Sequence, residues 1–231
     1  MDRTLLHGLN EARASRRGAV TVATERHGVQ QLLLEGEIPG DALGQAAGKA
    51  LRTGKASSVE IDGETLFLNA YVPPVRFVVI GAVHITQALA PMARAAGYEL
   101  EIIDPRGAFA TPDRFPDVTL HAEWPQDVLA DDPLDAYTAL AAITHDPKID
   151  DPALIAALQA DCFYIGALGS RKTHGRRVER LTEAGFDDAA IGRIDAPIGL
   201  DIGAANPAEI AVAILAQMIA AFRRRGSESA R

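Results

Sequence analysis

The stretch Arg76-Phe-Val-Val-Ile-Gly-Ala-Val-His-Ile-Thr86 decides how this chain folds. Phe77 to Ile80 is a short apolar run rich in β-branched residues, the composition of a strand buried on both faces. Gly81 ends it, and Ile85, Leu89, Met92 and Ala93 then recur at helical spacing through Ala96. A second apolar run, Tyr98 to Ile103, stops on the carboxylate of Asp104. Strand, glycine turn, helix, strand and acid make up the opening unit of a doubly wound α/β domain. One residue departs from the dinucleotide fingerprint: Val83 stands where its second glycine belongs. A valine side chain crowds a pyrophosphate laid over the turn.

Downstream, strands and helices continue to alternate. Val118 to Ala122, Ala136 to Ile143 and Cys162 to Ile165 read as strands, the last ending on Gly166. Trp124 starts a short connecting segment. Asp151-Pro152 predicts a helix start, with the acid as N-cap and proline in the first turn. Ser170 to Ala184 reads as a basic helix closed by Gly185, and Asp187 to Ile194 as a short one. Asn206-Pro-Ala-Glu209 combines N-cap, proline and capping-box acid ahead of a helix with Ile210, Ile214, Met218 and Phe222 on one face. Upstream, the pattern is different. Thr4 to Arg16 and Asp41 to Arg52 are helix candidates, while Ala19–Thr24, Val29–Leu34, Ser57–Ile61 and Glu64–Val72 are strand-like. Asp62-Gly63 is a strong hairpin signal. Pro73-Pro74 marks the boundary. The expected organisation is a small α+β module over 1–72, a Rossmann-like doubly wound, mainly parallel α/β domain over 75–225, and a frayed polar tail over 226–231.

Composition narrows the partners. The 231 residues carry a formal net charge of −8, which argues against broad nucleic-acid or anionic-membrane binding. No apolar run is long enough to span a bilayer. One cysteine, Cys162, excludes an internal disulfide and fits a reducing, cytoplasmic setting. The six histidines form no spaced metal motif.

In open parallel sheets, ligands bind outside the carboxyl ends of the strands. That rim collects Gly81 to His84, Asp104-Pro-Arg106, Thr144-His145-Asp146 and Gly166 to Lys172. The last loop holds Gly166, Gly169, Ser170, Arg171 and Lys172. Its glycines allow close approach, Ser170 can cap the next helix, and the helix start with its two cations favours an anion such as a phosphate-bearing ligand. Arg176 and Arg177 continue the basic face. Asp104 sits where an acid holds ribose hydroxyls, and Arg106 where it can meet a phosphate; the two can equally pair with each other. His145 is either a ligand-contacting imidazole or part of a turn capped by Asp146. Asp195 to Gly203 reads either as a lid over the rim or as a packing connection.

Ile80-Gly-Ala-Val-His-Ile, Ile103-Asp-Pro-Arg106, Arg114-Phe-Pro116, Thr144-His-Asp146, Tyr164-Ile-Gly-Ala-Leu-Gly-Ser-Arg171 and Ala196-Pro-Ile-Gly-Leu-Asp-Ile-Gly203, with Pro207-Ala-Glu-Ile210, together resemble the XdhC/CoxF family. The resemblance runs in order from about Pro74 to Phe222. It implies a Rossmann-like C-terminal domain and a role in maturing molybdenum hydroxylases of the xanthine dehydrogenase or carbon monoxide dehydrogenase type. It further implies that the chain binds the molybdenum cofactor (molybdopterin) and delivers it as an accessory chaperone rather than a redox enzyme. The implied partners are an apo molybdenum hydroxylase and, as further candidates, a sulfurtransferase and a second copy of the chain. The Gly-Gly-Cys motif of many members is absent from residues 1–72, so its sulfur handling does not carry over. Two other readings stand beside this one: an NAD(P)-dependent oxidoreductase, which Val83 weakens, and a docking scaffold without ligand.

Overall fold

The computed structural model describes residues 2–25 and 27–225, so the expected frayed tail at 226–231 lies outside the described residues. Contacts divide the chain into two units, one of residues 2–74 with 223–225 and one of residues 75–222.

The smaller unit contains α1 (Arg3–Ala14), β1 (Ala19–Thr24), β2 (Gly28–Leu34), α2 (Ala42–Thr53), β3 (Ser57–Ile61) and β4 (Glu64–Tyr71). Its strands form an antiparallel sheet in the order β2-β1-β4-β3. Alternation along β1 explains the layering. Val20 and Val22 pack with Ala47, Ala50 and Leu51 of α2, whereas Ala19 packs with Leu9 and Ala12 of α1. Asp2 and Asp41 cap the two helices, accepting from the amides of Leu5 and Gly44. The Asp62-Gly63 turn joins β3 to β4, with Ile61 opposite Glu64.

The larger unit runs β5 (Arg76–Ile80), α3 (His84–Ala95), β6 (Glu99–Ile103), β7 (Thr119–His121), α4 (Pro125–Asp131), β8 (Thr138–Ala142), α5 (Pro147–Gln159), β9 (Tyr164–Ala167), α6 (Arg171–Glu183), α7 (Asp188–Ile191), β10 (Ile194–Asp195) and all but the last two residues of α8 (Pro207–Arg224). All its strands pair parallel, in the order β10-β9-β8-β5-β6-β7. Counted from β5, this is the 3-2-1-4-5-6 order of the Rossmann sheet, so the Rossmann-like fold class holds. Successive residues of β5 serve opposite faces. Phe77 and Val79 pack with Leu89 and Ala93 of α3 and Ile214 and Met218 of α8; Val78 and Ile80 pack with Leu129 of α4, Leu154 of α5 and Leu181 of α6. Each large apolar side chain buried in this way contributes roughly 1.5–3 kcal/mol, which favours placing β5 inside the sheet with both faces covered.

Several boundaries differ from the sequence expectation, each for a local reason. Helix α5 starts at Pro147, not at Asp151-Pro152: Asp146 is the cap, accepting from the Lys148 amide, and Pro152 lies inside the helix. Trp124-Pro125 opens a helix, α4, where a connecting segment was expected. Helix α7 stops at Ile191 because Ile194 and Asp195 pair with Ile165 and Gly166 as an edge strand. Strand β9 runs through Gly166 to Ala167 instead of ending before the glycine. Asn206 caps α8 as expected, accepting from the Glu209 amide, while the Glu209 carboxylate reaches back to the Ala205 amide, one residue before the amide that the capping box predicts.

Candidate functional site

The order of connection reverses between β5 and β8, which lie side by side. At such a switch point the following loops part to opposite faces and leave a crevice. Loops from the carboxyl ends of β6, β5, β8 and β9 line this edge. They span three strand spacings, roughly 15 Å. Gly81 and Thr144 meet at its centre: a Cβ on Gly81 would lie 3.0 Å from Thr144 Cγ2, and Gly81 has a φ of 126°.

Asp104 is fully buried. Its Oδ2 accepts from the Ala82 amide at 2.8 Å and from Arg106 Nη2 at 2.7 Å. Its Oδ1 accepts from the Arg106 amide at 3.0 Å and from Arg106 Nε at 2.9 Å. An ionised carboxylate offers about four lone-pair positions, and all are engaged. Of the two readings of Asp104 and Arg106, mutual pairing is the one realised, and no acceptor is left for ribose hydroxyls. Burial pushes the Asp104 pKa up, but the Arg106 side-chain bonds and the two amides outweigh it and hold the group below the ordinary carboxylate value. Arg114 completes the clamp on the glycine turn. Its Nη1 donates to Ala82 O at 3.0 Å and to Phe109 O at 2.7 Å, and its Nη2 to Gln87 Oε1 at 3.0 Å. Both guanidinium groups also lie against the exposed Phe109 ring, 4.9 Å (Arg106) and 5.9 Å (Arg114) from its centroid. Ala82 therefore has its amide and its carbonyl committed within the protein. The next residue, Val83, opens α3 without a side-chain cap for the first-turn amides, and His84 is exposed beside them.

The neighbouring loop is organised by Asp150, which sequence reasoning did not single out. Asp150 is buried, its Oδ1 accepting from Thr144 Oγ1 at 2.7 Å and the Thr144 amide at 3.2 Å, its Oδ2 from the His145 amide at 3.0 Å. These bonds hold His145 at a φ of 67°, a left-handed conformation uncommon outside glycine. The His145 side chain is exposed on the rim while Asp146 turns to cap α5. Burial raises the Asp150 pKa, opposed by the Thr144 bonds and the charge of Arg177.

The β9–α6 loop divides its candidates. Gly166 is a buried strand residue, and a Cβ there would come within 2.6 Å of Ile198 and of the Tyr164 hydroxyl. Its lack of a side chain serves packing of the 196–203 segment, not approach of a ligand. Gly169, Ser170, Arg171 and Lys172 do form the loop and helix start. Ser170 Oγ accepts from the Thr173 amide, and Arg171 and Lys172 are exposed. Arg177 departs from the expected basic surface: it is only 2% exposed. Its Nη2 donates to Leu168 O at 3.0 Å, and its Nε and Nη1 have no hydrogen-bond partner, nor does Nδ1 of His174 one turn earlier. The helical spacing of His174, Arg177 and Leu181 was the available signal that this face turns inward.

The segment after the cis Ala196-Pro197 bond packs more than it covers. The Ile198 amide donates to Ala167 O, and Gln217 Oε1 accepts from the Gly199 amide and from the Tyr164 hydroxyl. Leu200 and Ile202 beyond it are exposed. Cys162 is buried, and burial foremost pushes its thiol up to about 12. Among the described residues, no cluster of His, Cys, Asp or Glu is placed to hold a metal ion, and no helix is long and apolar enough to cross a membrane.

A parallel sheet in this order, with its connections parting at a switch point between β5 and β8, defines a Rossmann-type domain. The XdhC Rossmann domain matches residues 77–218, and the chain belongs to that family. Over 152 residues it is 32% identical to the molybdenum cofactor insertion chaperone PaoD of Escherichia coli K12, covering 66% of this chain and 42% of PaoD. Over 160 residues it is 28% identical to a probable xanthine dehydrogenase subunit of Bacillus subtilis 168, covering 69% of this chain and 46% of that one. The chain thus spans less than half the length of these relatives. A crystal structure described as a xanthine dehydrogenase from Bacillus halodurans superposes with a TM-score of 0.68 at 23% identity, over 99% of this chain and 69% of that one, a likeness of fold.

Proposed function

We propose that this chain is a maturation factor that holds the molybdenum cofactor as cargo and passes it to an apo molybdenum hydroxylase in the cytoplasm. The observation that carries this reading is family membership, joined to the likeness to PaoD over 152 residues. The donor set fits the cargo. A pterin bearing a phosphate needs anion donors and hydrogen-bonding groups, not metal ligands. The start of α6 with Arg171 and Lys172, the uncapped start of α3 beside His84, and exposed His145 provide such groups along one edge.

The dinucleotide reading loses support in this geometry. A nucleotide turn needs a free amide after the glycine and an acid with free oxygens. Ala82 donates to Asp104, and Asp104 is saturated. Sulfur transfer by the chain itself is disfavoured by the burial of Cys162, because the thiolate is the nucleophile. Sulfuration, where it occurs, falls to a separate sulfurtransferase.

The test is loading and delivery. Purified chain mixed with cofactor released from a molybdenum hydroxylase should retain it through gel filtration and restore activity to an apo-enzyme of the xanthine dehydrogenase type. The double variant Arg171→Gln/Lys172→Gln should retain roughly tenfold less, given the strength of charged hydrogen bonds. Equal retention by the variant sinks this placement of the site; no retention by the unaltered chain sinks the function.

A further inference from the structure

Arg177 is the least explained group in the larger unit. A buried guanidinium normally finds a carboxylate or a full set of acceptors, since an unpaired buried donor is expensive and a buried unpaired charge more so. Here the Nη2 partner is a neutral backbone carbonyl and two further N–H groups have none. The nearby acids are occupied elsewhere. Asp150 holds Thr144 and His145, and Asp151 holds Arg180. The charge is also placed against the helix field. Side chains on a helix lean toward its N-terminus, and Arg177, two turns into α6, reaches Leu168 O just ahead of the Ser170 cap. Its guanidinium therefore lies beneath the helix start, where the macrodipole is already positive. Arg171 and Lys172 add two more cations from the exposed side. Within two turns α6 thus gathers four cations, Arg171, Lys172, Arg176 and Arg177, with the positive end of a helix and unpaired buried donors; Asp150 and Asp151 act on the Arg177 charge through space, but no anion among the described residues is hydrogen-bonded to it.

We propose that the β9–α6 loop seats a tetrahedral oxyanion, a phosphate group, and that Arg177 supplies buried counter-charge and N–H donors to it from beneath. This rests on the cargo reading above only in so far as the phosphate belongs to the cofactor; the anion site stands by itself. Arg171, Lys172 and the first-turn amides meet the anion from the solvent side. Gly169 turns the loop at a φ of 140° between Leu168, whose carbonyl accepts from Arg177 Nη2, and the Ser170 cap. His174 Nδ1, also without a partner, lies close enough for the Arg177 charge to lower its pKa beyond the effect of its burial, and a bound anion reverses that influence.

The test uses the full chain at low ionic strength, titrated calorimetrically with inorganic phosphate and, separately, with glycerol 3-phosphate. Saturable binding of either is expected, and the stronger one identifies a free phosphate or a phosphate ester as the natural form. Arg177→Gln should weaken it at least about tenfold and Arg177→Lys less, in keeping with charge-assisted bonds. Equal affinity in Arg177→Gln, or no saturable binding to the unaltered chain, overturns the site. Should Arg177→Gln not fold, crystals of the unaltered chain soaked in tungstate replace it. An anomalous peak within hydrogen-bond reach of Arg177 supports the proposal, and an ordered water on Nε and Nη1 with no peak overturns it. Phosphate binding without cofactor retention would reject the cargo reading and keep the anion site; cofactor retention unaffected by Arg177→Gln, without phosphate binding, would do the reverse.

Discussion

Asp104 shows how far a single residue's role depends on what closes around it. The end of an apolar strand on an acid places it at the rim, and that much is legible from the sequence. Its saturation is not, because the clamp needs Arg106 to fold back on it and Arg114, ten residues on in an irregular loop, to hold the same turn from the other side. Val83 is then only one of two obstacles to a dinucleotide. Val83→Gly should therefore still fail to bind NADH in a fluorescence titration; saturable micromolar binding would show that the clamp opens. Asp104 also sets an acid-side stability limit. Its folded pKa lies below the ordinary 3.8, so its contribution is complete above that value and is lost as pH falls through the folded pKa. Asp104→Asn should cost about 2 kcal/mol at pH 7, the scale of charged hydrogen bonds. The gap to the unaltered protein should narrow in urea melts as pH falls below 3.8 through the lowered folded pKa. Asp150 acts with opposite sign. Burial raises its pKa, so its contribution is fullest at acid pH and declines as pH rises from near 3.8 through the folded value.

Elements whose signal is local were readable, and those fixed by distant pairing were not. Strand β5, helix α3 and the capped start of α8 carry their own periodicity and caps. Two Asp-Pro pairs competed to open α5, and the one abutting a buried strand prevailed, since chain leaving the sheet must turn at once. Strand β10 is two residues long and exists only because β9 lies beside it. Gly166 belongs to this scale as well. Its neighbours Ile198 and Tyr164 come from separate segments drawn together by Gln217 of α8. Gly166→Ala should lower stability by about 1–3 kcal/mol, the usual penalty of overpacking, read as a shift in the thermal midpoint. An unchanged midpoint would mean that the 196–203 segment is loosely held.

At the scale of the whole molecule, the chain combines a family-defining parallel-sheet domain with a small antiparallel unit that contains no cysteine. The chain's one thiol sits in the core of the larger unit. Under native conditions Cys162 should react with an aromatic disulfide reagent at least about a hundredfold more slowly than in urea, because neither access nor thiolate is available. Cys162→Ala should deliver cargo as well as the unaltered chain, and a loss of delivery with the fold intact would return sulfur chemistry to this protein. The central claim is that the chain carries the molybdenum cofactor. Its most direct test is to purify the chain from cells replete in that cofactor, denature it, and identify the released small molecules by mass spectrometry. The account predicts a pterin bearing a phosphate, in an amount approaching that of the protein and reduced in Arg171→Gln/Lys172→Gln. A stoichiometric nicotinamide dinucleotide in its place, or no pterin at all, would contradict it.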